Sequence, residues 1–161
     1  MVATMKRTHP TKFLVVVDDT PECRTALRFA SLRAKKTGGR VILLRVIEPV
    51  DNQHWAAVER LMREEQRQEA EKLLQSLATE AQVYAGLLPE YAIREGRRLE
   101  EILALIDQDP DIRVLVLGAS PAKEGPGPLV SKLAGQMSGS MQVPITLVPG
   151  NMSAEELDEM T

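Results

Sequence analysis

Three short stretches of this chain carry residue types able to do chemistry. Asp18-Asp19-Thr20 sets two carboxylates and a hydroxyl at the end of an apolar run. Arg97-Arg98 places two guanidinium groups directly after Gly96. Gly118 opens a stretch with Pro121, Gly125, Pro126, Gly127 and Pro128 that continues to Ser131-Lys132. Paired acids of this kind can hold magnesium, and glycine-rich backbone or cations at a helix start can meet phosphate.

None of these stretches completes a familiar catalytic motif. The turn after the first apolar run lacks G-x-G-x-x-G, and G-x-x-x-x-G-K-[ST] occurs nowhere. Ser120, Ser131, Ser138 and Ser140 offer hydroxyls, but no G-x-S-x-G elbow is present and both His9 and His54 precede them, which argues against a serine hydrolase. A phospho-receiver would use Asp18-Asp19 for magnesium but needs an acceptor aspartate after its third strand. This chain has Glu95-Gly96-Arg97-Arg98 there, and its last strand ends in Val148-Pro149-Gly150 rather than presenting a lysine. Cys23 is the only cysteine, which excludes an intramolecular disulfide and a cysteine-based metal cluster within one chain. His9 and His54 do not form a metal-ligand pair by spacing.

The elements that must position these residues follow from the hydrophobic pattern. The continuous apolar run at 13–17 suits a strand buried on both faces, and a second run at 41–47, broken by Arg45 near its carboxyl end, is the next strand. Between them Thr20 is the expected N-cap with Pro21 at the first helical position, although Asp19 competes for the cap. Cys23, Ala26, Leu27, Ala30 and Ala34 form the buried stripe of this helix, which Gly38-Gly39 ends. A long helix with a charged middle is predicted over 52–85 and a short strand over 91–95. A third helix carries Leu99, Ile102, Leu103 and Ile106 and closes at Pro110. A strand at 114–117 opens into the loop 118–128, a short helix follows over 129–141, and the last strand is Pro144-Ile145-Thr146-Leu147-Val148. Strands alternating with helices predict an α/β fold, a five-stranded parallel doubly wound sheet with helices on both faces. Ligands of such folds sit outside the carboxyl ends of the strands, near Asp18, Val46 and Gly118.

Composition sets the limits. The 161 residues, 43% apolar, suffice for one core and not two. We divide them into a polar segment 1–11, a domain 12–150 and an acidic tail 151–161 with too few large apolar residues to extend the core. With 20 basic and 23 acidic residues the net charge is -3, so no global positive field attracts nucleic acid or an anionic membrane. No run approaches the roughly 18 apolar residues of a membrane span and the start is polar, so a cytoplasmic location is expected.

The order of features resembles the universal stress protein family. The resemblance rests on Val15-Val16-Val17-Asp18 with Thr20, Leu44-Arg45-Val46-Ile47-Glu48-Pro49, Arg94-Glu95-Gly96, Leu115-Val116-Leu117-Gly118 and Val143 through Val148. It implies the adenine nucleotide α-hydrolase-like fold and a regulatory stress-response protein, homodimeric through the strand 144–148 and acting through partners rather than turnover. It also implies an ATP or AMP site with Asp18 beside adenine or ribose and Val46 offering backbone groups to the base. Nucleotide-binding members carry G-x2-G-x9-G-[ST] from the fourth strand into the fourth helix. Counted from Gly118, this chain has Pro121, Ser131 and Lys132 at the later positions. A second count, Gly125-x9-Gly135, puts Gln136 at the hydroxyl position and leaves too little chain before Pro144. The expectation is therefore a non-catalytic member with a degenerate nucleotide site that binds ATP weakly or not at all. The alternatives are a member that binds ATP or AMP or slowly hydrolyses ATP, and a pure interaction module with a rigid proline loop.

Each candidate residue also has a structural reading. Asp18 either contacts the ligand or caps the next helix. Lys132 opposes the dipole of its helix, which favours a nearby anion, or is a solvated lysine. Arg97 and Arg98 contact phosphate or face water. Cys23 reads as a small core residue, and Trp55 and Tyr84 as packing residues at the ends of the second helix.

Overall fold

The apolar runs become parallel strands. The computed structural model describes residues 9–49 and 55–161; the predicted start of the second helix at Asn52 and most of the polar segment lie outside them. The strands are β1 (Lys12–Val16), β2 (Arg40–Ile47), β3 (Glu90–Glu95), β4 (Ile112–Ala119) and β5 (Ile145–Pro149). Helices α1 (Pro21–Thr37), α2 (Ala56–Ala85) and α3 (Arg98–Gln108) join the first four. The sheet order is β3-β2-β1-β4-β5 and every neighbouring pair is parallel. From β1 the chain winds outward through β2 and β3, then returns to build β4 and β5 on the other side. The order reverses between β1 and β4, which opens the crevice there.

Two apolar layers sandwich the sheet. Val15, Val17 and Val41 face α1 and α2 through Leu27, Leu74 and Leu77, while Leu14, Leu44 and Leu115 face α3 and the β4–β5 crossover through Ile102, Ile106 and Leu133. Fully buried leucines of this kind each contribute about 1.5–3 kcal/mol relative to exposure. Helix α1 starts as its sequence dictates: the Thr20 hydroxyl accepts from Cys23 N–H, Pro21 occupies the first turn, and Gly38 ends the helix with φ 71°. Asp19 takes no part in the cap.

Three segments depart from the sequence expectation. Gly118 is not the first loop residue; β4 runs through it to Ala119, because β5 pairs Gly118 with Val148 and Ala119 with Pro149. The helix expected over 129–141 is broken into α4 (Pro128–Val130), a π-helical turn (Ser131–Gln136) and a 3-10 turn (Ser138–Ser140). Met137 N–H donates to the Lys132 carbonyl five residues back, a widening allowed around Gly135. The acidic tail does extend the core. It folds as α5 (Ala154–Met160) on a reciprocal capping box between Ser153 and Glu156, buries Leu157 to 1% exposure, and is held by Arg28 on Asp158 and Arg33 on the Thr161 carbonyl.

Trp55 is 84% exposed rather than packed. Tyr84 is packed against the α1 layer with the Arg28 guanidinium 4.8 Å above its ring. No helix among the described residues is long and apolar enough to cross a membrane.

Candidate functional site

The crevice at the carboxyl ends of β1 and β4 is built from the Asp18 turn outward. Asp18 Oδ1 accepts from both the N–H (2.9 Å) and the hydroxyl of Thr20, and Thr20 in turn caps α1. Asp18 therefore does not cap the helix; it orients the residue that does. That arrangement sets the capping reading aside and leaves Oδ2 without a partner among the described residues, open to a ligand contact.

Val46 is positioned by strand alternation. Along a parallel strand, successive residues direct their backbone groups to opposite neighbours. The Leu44 carbonyl receives Val17 N–H on the β1 side, and the Ile47 carbonyl receives Gly96 N–H on the β3 side. Val46 consequently directs its N–H and C=O toward β1, beyond where that strand has ended. Arg45 closes the gap from the other side, donating to the Val17 carbonyl at 3.2 Å with Asp19 3.9 Å away. Its Nε is buried without a partner among the described residues.

Gly118 is fixed by packing. A Cβ there would collide with the backbone carbonyl of Glu22, and one at Gly150 would fall 2.5 Å from Glu22 Cγ. The first turn of α1 thus docks into a notch made by two glycines, which brings Asp18, Thr20 and Gly118 onto one cavity of about 340 Å3. That is near the lower end of ligand-pocket volumes, roughly 300–1,000 Å3. A second cavity of about 300 Å3 lies on the β2 side, lined by Val46, Arg45, Asp19 and Glu48. Arg98 lines both cavities.

The structure brings Asp18 and Gly118 together and sets Val46 across Arg98 from them. Ser131 and Lys132 line neither cavity. Ser131 N–H is engaged by the Gly127 carbonyl, and Lys132 Nζ donates to Gln136 at 2.9 Å on the exposed face of the π turn. In the loop before them Pro121, Pro126 and Pro128 have no N–H to give. Ser120 N–H donates to the Pro126 carbonyl, Ala122 N–H to Ser120 Oγ and Gly125 N–H to the Ala122 carbonyl. Together with that of Ser131, these N–H groups are therefore spent within the loop. Cys23, on the cavity wall, is buried and its thiol is pushed up to about 11 by burial, so it stays protonated at neutral pH.

Sequence reasoning named Arg97 and Arg98 together as phosphate contacts or solvent-facing residues without separating them, and it did not find the Glu22 contact. Both the separation and the contact depend on how α1 and α3 start relative to β4 and β2, a juxtaposition with no local sequence signal.

Comparison with known proteins agrees with this architecture. Comparison with curated protein sequences returned no significant match. Among solved structures the chain is similar to the universal stress protein UspA from Lactobacillus plantarum, with TM-score 0.72, 18% identity, 88% of this chain and 99% of that chain covered. It is similar also to the universal stress protein from Archaeoglobus fulgidus in complex with dAMP, with TM-score 0.61, 15% identity and coverage of 87% and 98%. A third is a universal stress protein family protein from Arabidopsis thaliana with AMP bound, with TM-score 0.59, 20% identity and coverage of 91% and 95%. The family model described as universal stress protein family matches residues 10–149, and with five parallel strands in the order above the chain belongs to the universal stress protein family.

Proposed function

We propose that this chain is a cytoplasmic, non-catalytic regulatory binding protein of the stress response. Its cleft recognises the nucleoside part of an adenine nucleotide but holds the ATP phosphate chain poorly. The observation that carries this reading is the loop 118–131, which lacks an N–H at Pro121, Pro126 and Pro128 and engages those of Ser120, Ala122, Gly125 and Ser131 within itself. The groups left open are Asp18 Oδ2 and the Val46 backbone, which suit ribose hydroxyls and a base edge. The β1–β2 end thus suits a nucleoside, and the β4 loop suits a triphosphate poorly. Two structural relatives are described as bound to dAMP and AMP, ligands with a single phosphate. Calorimetric titration checks the reading: AMP or adenosine should bind more tightly than ATP with magnesium. Micromolar ATP affinity at physiological salt would overturn it and favour an ATP-binding or slowly ATP-hydrolysing member.

The same proposal includes a homodimer through the strand Pro144-Ile145-Thr146-Leu147-Val148. In its support, β5 ends the sheet and Leu147 is 42% exposed there, an apolar edge of the kind that invites pairing. Leu147→Lys should shift the mass measured by light scattering toward monomer. An unchanged dimer would locate the contact elsewhere.

A further inference from the structure

We infer that Arg98 is the residue that receives the anionic group of the ligand, in place of the β4 loop. This rests on the nucleotide reading of the same cleft and adds which side chain sets the preference for a charged ligand.

Arg98 is held where such a contact is needed. Its N–H donates to Glu48 Oε1 (3.4 Å) and the Gly96 N–H to the Ile47 carbonyl (3.0 Å), so the turn between β3 and α3 is tied at two points to the end of β2. Its guanidinium, by contrast, has no hydrogen bond or ion pair with any described residue. The other arginines of this end are engaged: Arg45 with the Val17 carbonyl and Asp19, Arg63 with Glu59 and Glu95, and Arg97 with Glu100. A fixed backbone with an uncommitted guanidinium leaves a bidentate donor free for a carboxylate or phosphate.

Charge around the cavity points the same way. Among the described residues Arg98 is the one basic side chain on the wall of the 340 Å3 cavity, which Asp18 and Glu22 also line. A ligand that gives hydroxyls to Asp18 and an anion to Arg98 matches both signs. A long polyanion would lie against Glu22 and a loop that lacks an N–H at three prolines and engages four others internally. The ligand class is therefore a nucleoside carrying one anionic group.

Affinity for AMP and adenosine, measured by calorimetry at low and physiological salt, tests this on wild type, Arg98→Ala, Arg98→Lys and Arg97→Ala, each checked for an unchanged circular dichroism spectrum. Wild type should bind AMP about tenfold more tightly than adenosine. Arg98→Ala should abolish that preference with adenosine affinity within about twofold of wild type, Arg98→Lys should keep part of it, and Arg97→Ala all of it. If wild type binds adenosine without preferring AMP, or Arg98→Ala keeps the preference, the inference is overturned while the nucleotide reading stands. If wild type binds neither, both fall together.

Discussion

At the amino edge of the sheet Lys12 sits between Asp109 at 2.8 Å and Glu90 at 3.0 Å, with Arg113 on Asp111, Thr11 and the His9 carbonyl. At the carboxyl edge Arg98 has no described partner and Arg45 keeps a buried Nε unpartnered. The sheet is the same and so are the residue types. The difference lies in how completely charges meet inside the chain: at the amino edge they hold strand ends together, while at the carboxyl edge Arg45, Arg63 and Arg97 find carboxylates and the Arg98 guanidinium is left over. The carboxyl edge carries a packing constraint instead, the two-glycine notch under Glu22.

If that notch is what aligns the cleft, filling it should produce the largest effect of all. Gly118→Val would press a branched side chain into the Glu22 backbone, which cannot rotate away. Destabilisation near the upper end of the roughly 1–3 kcal/mol typical of overpacking is expected, read from urea midpoints, together with loss of any nucleoside binding. A variant of wild-type stability would mean that α1 is free to shift, and the rigid half of the comparison would fail.

The amino edge can be tested by removing one partner. Lys12 and Asp109 are 16% and 21% exposed, so the pair is shielded enough for a charged hydrogen bond of about 1.5–3 kcal/mol to be the relevant scale. Lys12→Met should cost near the low end of that range. Burial pushes the Asp109 carboxyl up, but the Lys12 ammonium and the Asp111 N–H outweigh it and hold it below its ordinary value. Because the folded value is depressed, its stabilisation is complete above the unfolded pKa of about 3.9 and is lost as pH falls through the folded value. Lys12 is raised, chiefly by its hydrogen bond to Asp109, against the opposing effect of burial. Its contribution is complete below about 10.4 and is lost as pH rises through the folded value. Stability measured against pH should fall off on both sides, and both limbs should flatten in Lys12→Met. An identical acid limb in the variant would show that this pair is not what the amino edge relies on.

A smaller effect is expected at Thr20. Thr20→Ala removes the cap on Cys23 N–H and one of the two bonds holding Asp18 Oδ1, at a cost of about 1 kcal/mol. If Asp18 is oriented by Thr20, adenosine affinity should fall with stability. Lost stability with unchanged binding would separate the cap from the site.

These residues also mark what the sequence could reveal. Strands, their parallel order and the α1 cap were legible because each is written locally, as an apolar run, a Thr-Pro pair or a Gly-Gly stop. Asp18, Val46 and Gly118 were legible as strand ends of a recognisable family order. The tail was misread because one leucine, Leu157, does the burying and a capping box supplies the rest, and a count of apolar residues misses both. Ser131 and Lys132 were placed by counting along the family motif, which carries no information on where those side chains lie. The π turn over Ser131–Gln136 carries Lys132 to Gln136. Arg98 was named beside Arg97 at a helix start but could not be told apart from it, and Glu22 matters through a contact with Gly118 and Gly150, far away in sequence.

The smallest effect is expected where motif counting alone would promise the greatest. Pro121→Gly with Ser131→Gly and Lys132→Ser restores G-x2-G-x9-G-S, and the sequence argument, that each lost charged contact costs about 1.5–3 kcal/mol, implies recovery of several kcal/mol of ATP binding. The structure limits that recovery. Residues 131 and 132 line neither cavity, so a glycine and a hydroxyl there do not reach the ligand. The N–H gained at position 121 sits in a loop whose neighbours, Ser120, Ala122 and Gly125, remain bonded to one another. Replacing a proline also frees the unfolded and unbound loop, opposing the gain by up to about 1 kcal/mol. The net increase in ATP affinity should not exceed about fivefold, or roughly 1 kcal/mol. Micromolar ATP binding by the triple variant would show that the loop reorganises once its sequence is restored. The asymmetry between the two ends of the cleft would then belong to three side chains rather than to the packing of the loop.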